Sequence, residues 1–153
     1  MGESICTDRM KNKDILKLLP YKDPFLFVDT LDEVNEEGTR GSFRFAQDSY
    51  FYKGHFKDMP ITPGVILTET MAQIGLVSLG IYLLKDKITS GFPKIALTST
   101  AVDFFIPVYP GERVEVVSKK EIWRFGKLRC FVQMFNEDKE LVCRGKISGM
   151  VQL

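Results

Sequence analysis

The run Pro63-Gly64-Val65-Ile66-Leu67-Thr68-Glu69-Thr70-Met71-Ala72-Gln73-Ile74-Gly75-Leu76-Val77-Ser78-Leu79-Gly80-Ile81-Tyr82-Leu83-Leu84 is apolar along most of its length and long enough to cross a bilayer. Thr68, Glu69, Thr70, Gln73 and Ser78 interrupt it, and a carboxylate within a spanning helix is costly in lipid. The soluble reading is therefore favoured. It predicts a helix with Thr62 as N-cap and Pro63 in the first helical position, followed by Gly64 and stopping near Lys85-Asp86-Lys87. A helix apolar nearly all round has to be enclosed by other structure.

The enclosure is a sheet. Residues Leu26 to Val34 and Thr39 to Ala46 read as strands around the turn Asn35-Glu36-Glu37-Gly38. Four more strands are predicted at Lys94 to Phe105, Glu112 to Trp123, Lys127 to Phe135 and Glu140 to Val151. The connections Pro110-Gly111, Phe125-Gly126 and Asn136-Glu137-Asp138-Lys139 are short and rich in turn residues, so these strands are expected to form an antiparallel meander. Leu128, Cys130, Val132 and Met134 alternate onto one face, as do Leu141, Cys143, Ile147 and Val151. Cys130 and Cys143 thus read as small core residues. Two strands, one long helix and four strands make an α+β arrangement whose sheet edges favour pairing with another copy.

Composition sets the wider limits. The chain has 153 residues, 44% hydrophobic and 27% charged, with a formal net charge of +1. That suits a single domain over 1–153, with residues 1–12 as a flexible leader, and the dispersed charge gives no field suited to nucleic acid or an anionic membrane. Three cysteines at unrelated spacings argue against a disulfide framework or a zinc site, and the amino terminus lacks a secretory apolar stretch. The expected location is the cytoplasm.

The chemistry precedes and enters the helix. His55 is the only histidine, and imidazole is the side chain that titrates near neutrality unaided. Glu69 lies on a helix stripe with Val65, Ile66, Ala72, Gln73 and Leu76, where apolar neighbours push a carboxyl toward its protonated form. Together they read as a base and an acid. Pro60 and Pro63 stiffen the connection between them, and the free N–H groups of the helix start, Gly64 first, can polarise a carbonyl. Gln73, one turn after Glu69, either orients that carboxyl or fills a polar spot. No metal or redox cofactor is needed for such chemistry.

Leu19-Pro20, Pro24-Phe25-Leu26, Val28-Asp29, Gly54-His55-Phe56, Pro60-Ile61, Pro63-Gly64-Val65, Glu69, Met71-Ala72-Gln73, Pro107-Val108 and Pro110-Gly111 together resemble the (3R)-hydroxyacyl-[acyl-carrier-protein] dehydratases of hot-dog fold. The resemblance implies one long helix wrapped by a curved antiparallel sheet. It implies removal of water from a 3-hydroxyacyl thioester, delivered on the phosphopantetheine of acyl carrier protein, to give a trans-2-enoyl thioester. His55 and Glu69 would be catalytic, with Gly64, Val65 and Gln73 lining the oxyanion and substrate positions. It further implies a homodimer, or an assembly of such dimers, with each site built from the histidine of one subunit and the glutamate of the other.

Some positions depart from the family pattern. Lys57 stands where proline is common, Thr62 replaces methionine, Thr70 alanine and Tyr21 histidine, and Phe105-Ile106-Pro107 replaces a segment that often carries basic residues. Lys53, Lys57, Arg124, Lys127 and Arg129 are the remaining candidates to receive an acidic carrier, though each one singly reads more readily as solvated charge. A hot-dog thioesterase, an isomerising dehydratase and a non-catalytic acyl-binding subunit are the alternatives; the isomerising type typically has aspartate where this chain has Glu69.

Overall fold

The computed structural model describes residues 11–88, 91 and 93–152. Its elements are α1 (Asn12–Leu18), β1 (Thr30–Asn35), β2 (Gly38–Arg44), a 3-10 turn (Tyr50–Lys53), α2 (Gly64–Leu83), β3 (Lys94–Phe104), β4 (Arg113–Arg124), β5 (Lys127–Phe135) and β6 (Leu141–Gln152). The strands form one antiparallel sheet in the order β1-β2-β4-β5-β6-β3, and α2 packs against it as the hot-dog fold requires. Ile74, Leu76, Val77, Leu79 and Ile81 of α2 are buried against Val116, Leu128, Cys130, Val132, Met134 and Ile147 of the sheet. Burial of this kind contributes about 25 cal/mol per Å² of apolar surface, so the core is the main stabilising element. By length and composition α2 could cross a membrane, yet 78% of its most apolar window is buried inside the fold.

The expected leader is partly corrected. Residues 1–10, Cys6 among them, lie outside the described residues, but Asn12 already begins α1. The helix is short and rich in charge, and it is held by burial of Ile15, with Leu19 buried just beyond its end. The first strand also begins later than expected, at Thr30 rather than Leu26. The reason is that Phe25 C=O and Phe27 N–H bond to the Gln73 side chain instead of a neighbouring strand.

The four-strand meander is corrected too. β4, β5 and β6 form one, with Phe125 and Gly126 both at positive φ in the first hairpin and Asn136 Oδ1 accepting Asp138 N–H and Glu140 N–H in the second. Pro110-Gly111 makes no hairpin: β3 crosses to pair with β6 while β4 pairs with β2. This leaves β3 at the sheet edge, exposed along most of its length. Close approach of β2 and β4 explains Gly38, where a Cβ would stand 1.9 Å from the Ser118 carbonyl oxygen.

α2 starts one residue later than expected. Thr62 is not its N-cap, because the Thr62 hydroxyl is bonded to Tyr52 Oη at 2.6 Å and its N–H to the Val108 carbonyl at 2.8 Å. Pro63 occupies the cap with extended ψ, and Gly64 is the first helical residue. In mid-course Gln73–Val77 widen into a π turn. The Ser78 hydroxyl donates to Gln73 O at 2.8 Å and the Thr39 hydroxyl to Ile74 O at 2.7 Å, so the carbonyls loosened by the wider turn keep partners.

Candidate active site

His55 follows the 3-10 turn in a loop that closes on itself: Ile61 N–H donates to His55 O at 2.9 Å and Phe56 N–H to Met59 O at 3.1 Å. The imidazole Nδ1 lies 3.1 Å from the Ile61 carbonyl oxygen, which can only accept, so Nδ1 carries the proton. In the neutral tautomer that this contact favours, Nε2 is the nitrogen free to accept. The ring stacks on Phe56 with centroids 4.1 Å apart, which further fixes its plane.

A cleft of about 330 Å³ opens beside it, lined by His55, Ile61, Thr62, Gly64, Leu67 and the segment Phe104 to Pro107. Gly64 is the first residue of α2, and the amides of Gly64 and Val65 have no hydrogen-bond acceptor among the described residues. A free N–H of Gly64 at the positive end of a helix dipole, in an apolar cleft, favours an oxygen that gains negative charge. Phe104 packs on Gly64 and narrows this cleft, a role that a ring at the end of a predicted strand gave no sign of in the sequence. Val65 is 76% exposed and does not line the cleft.

Glu69 lies about one helical turn beyond Val65 and is not among the cleft's lining residues. Burial pushes its carboxyl above the ordinary value of 4.5, against a smaller opposing effect of the Gln73 hydrogen bond. That bond runs from Gln73 Nε2 to Glu69 Oε2 at 2.9 Å, with Gln73 itself fully buried. Tyr21 faces the same carboxyl: its phenol is pushed up to about 12, first by burial and then by the Glu69 charge. One chain therefore brings His55 together with Gly64, and Glu69 together with Gln73 and Tyr21, but does not place both groups in one cleft.

The other titratable candidates fall outside these groups. Cys130 and Cys143 are buried under α2 and burial pushes both thiols up to about 12, so they are core residues as expected. Arg129 pairs with Glu121 at 3.3 Å on the sheet, whereas Lys53, Lys57, Arg124 and Lys127 are exposed. Arg144 stands over the Phe105 ring at 5.4 Å, putting a cation beside the segment that lacks its own. Among the described residues no group of three or more His, Cys, Asp or Glu side chains converges to hold a metal.

Residues 19–146 match the FabA-like domain family. The chain belongs to the FabA-like family. Three relatives of this family are each named 3-hydroxyacyl-[acyl-carrier-protein] dehydratase FabZ. The protein of Oleidesulfovibrio alaskensis is 39% identical over 68% of this chain and 67% of its own length. That of Petrotoga mobilis is 36% identical over 72% and 79%. That of Clostridium perfringens is 31% identical over 90% and 96%. Solved structures extend the family likeness to fold alone. The dehydratase heterocomplex ApeI:P of Xenorhabdus doucetiae superposes with a TM-score of 0.76 at 13% identity, over 95% of this chain and 93% of that one. A thioesterase of Haemophilus influenzae superposes with a TM-score of 0.69 at 10% identity, over 94% and 92%.

Proposed function

We propose that this FabA-like protein is a 3-hydroxyacyl-[acyl-carrier-protein] dehydratase acting in fatty acid synthesis or a specialised acyl pathway of the cytoplasm. The observation that carries the reading is the imidazole of His55 and the unpaired amide of Gly64 in one apolar cleft. A thioester carbonyl seated on that amide would offer its α-proton to Nε2. As His55 takes that proton, the α-carbon electrons form the double bond, the C–O bond to the 3-hydroxyl breaks, and Glu69 supplies the proton that makes the leaving group water. The imidazolium and carboxylate that remain exchange a proton through solvent and restore the starting state. Burial that raises the Glu69 carboxyl above its ordinary value suits it to the acid's role.

The cleft lacks Glu69, and a second copy supplies it in this reading. β3 is an open edge, and Leu97 and Phe104 along its course and Phe105 just past its end, with Val65 next to Gly64, are exposed apolar side chains. A homodimer joined along β3 covers them and closes the edge, which is costly to leave open. The acyl chain arrives on phosphopantetheine of acyl carrier protein, with exposed Lys53 and Lys57 close to the mouth in sequence as contacts for an acidic carrier. The deciding assay incubates the protein with a 3-hydroxyacyl carrier thioester and follows loss of water by mass and the enoyl band by ultraviolet absorption. Release of free thiol without enoyl product would instead identify a thioesterase.

A further inference from the structure

Tyr52 and Thr62 stand at the two ends of the loop that carries His55, and their hydroxyls meet at 2.6 Å. Both side chains are buried, so the contact is shielded from solvent. Either hydroxyl can donate while the other accepts. Burial raises the Tyr52 phenol above its ordinary value of 10.0, against a smaller lowering by the Thr62 bond, so the phenol keeps its proton at neutral pH. Methionine, common at position 62 in the family, has no hydroxyl, so the bond depends on this chain's departure from the family pattern.

The bond bears on one peptide unit. The Ile61 carbonyl and the Thr62 N–H belong to the same planar group. Its N–H donates to the Val108 carbonyl at 2.8 Å, and its oxygen faces His55 Nδ1 at 3.1 Å. A plane held by its N–H alone can rock about that bond and turn its oxygen aside. The Thr62 side chain, tied to Tyr52, removes that freedom. Tyr52 is itself anchored: its N–H donates to Ser49 O at 3.1 Å, and its ring meets that of Phe51 edge-on with centroids 4.7 Å apart.

We propose that Tyr52 is a positioning residue for the base: its hydroxyl, through Thr62, aims the Ile61 carbonyl at His55, which keeps the imidazole proton on Nδ1 and leaves Nε2 to accept. The inference rests on the dehydratase reading. Tyr52 does not line the cleft and touches no substrate there. Were the carbonyl to turn away, the neutral ring would carry its proton on Nε2 for part of the time, and a protonated Nε2 cannot remove one from the substrate.

His55 is the only histidine, so nitrogen NMR of the isotope-labelled imidazole reports which ring atom is protonated, without substrate. Tyr52→Phe should shift the proton of the neutral ring from Nδ1 toward Nε2 and lower kcat on the order of 10-fold to 100-fold with KM held. Combining Tyr52→Phe with Thr62→Val leaves no hydroxyl buried and unpaired, so the melting temperature should return toward that of wild type. The displaced proton and the loss in kcat should persist in that double variant, because the tie is still missing. Thr62→Ser, which keeps a hydroxyl, should hold the proton on Nδ1. A bond that serves stability alone predicts that kcat and the imidazole signal recover with the melting temperature in the double variant, and that result overturns the proposal, as does an unmoved signal in Tyr52→Phe. If Tyr52→Phe fails to fold, the double variant carries the test by itself. A wild type that forms no enoyl product while Tyr52→Phe still displaces the proton sinks the dehydratase reading and leaves the aiming of the imidazole intact, so the two failures are distinguishable.

Discussion

The Phe104 ring lies so close to the Gly64 backbone that a Cβ added there would stand 3.2 Å from its Cζ and 3.3 Å from its Cε1. The end of β3 and the first turn of α2 are thus mechanically joined at the place where the two unpaired amides emerge.

Gly64→Ala should therefore displace the ring or the amides and lower turnover on the order of 10-fold to 100-fold. Adding Phe104→Leu gives the new methyl group room and should return part of the loss. A double-mutant cycle on kcat/KM measures the coupling, and strictly additive losses would show that the contact has no bearing on the amides.

His55→Ala and Glu69→Gln should each reduce enoyl formation roughly 100-fold to 10,000-fold while far-ultraviolet circular dichroism stays unchanged. Co-refolding the two inactive chains should then restore activity, because a mixed dimer holds one intact site and one doubly defective site. With random reassociation about half of the dimers are mixed and one site in two works, so recovery should approach roughly a quarter of wild type. Persistent inactivity of verified mixed dimers would mean that each site lies within one chain.

Glu69→Gln should also be the more stable protein at neutral pH. Burial raises the Glu69 carboxyl above its ordinary value of 4.5, so folding favours the protonated form. The stability it contributes is complete below the unfolded value and is lost as the pH rises through the folded one. Melting temperatures of wild type and variant should coincide in acid and separate as the pH increases, with the variant higher. A gap independent of pH would exclude Glu69 ionisation as its source.

Gly75→Ala sets two effects against each other. Alanine favours helix over glycine by about 1 kcal/mol. Its Cβ, however, would stand 3.0 Å from Ser118 Cβ and 3.0 Å from Val132 Cγ1, both on the sheet, and overpacking typically costs about 1–3 kcal/mol. The net change should be destabilising, seen as a lower urea midpoint at unchanged slope; a raised midpoint would mean that β4 and β5 yield freely.

The strands were legible where one face is buried and the other wet: alternation of Leu128, Cys130, Val132 and Met134 sufficed to place β5. Strand order was not, because Pro110-Gly111 carries hairpin chemistry that β3 overrides by pairing with β6. α1 escaped notice because Ile15 and Leu19 hold it through distant neighbours rather than through local propensity. At the site, His55, Gly64 and Glu69 follow from residue type and spacing, and the structure puts His55 and Gly64 in one cleft. Val65 points away, the Phe104 contact depends on chain crossing, and the Gln73 amide takes its meaning from main-chain groups far away in sequence.

The π turn at Gln73–Val77 also has a bearing on which insertions and deletions the chain can accept. One extra residue in a helical turn advances the phase of all that follows by about 100°. Ser78–Leu83 therefore present their core face at an angle set independently of the stripe that carries Glu69. Loss of a single residue from this turn would not be a local defect: it would rotate Leu79 and Ile81 away from the sheet, or swing Glu69 off its bearing, and the fold could keep only one of the two in register.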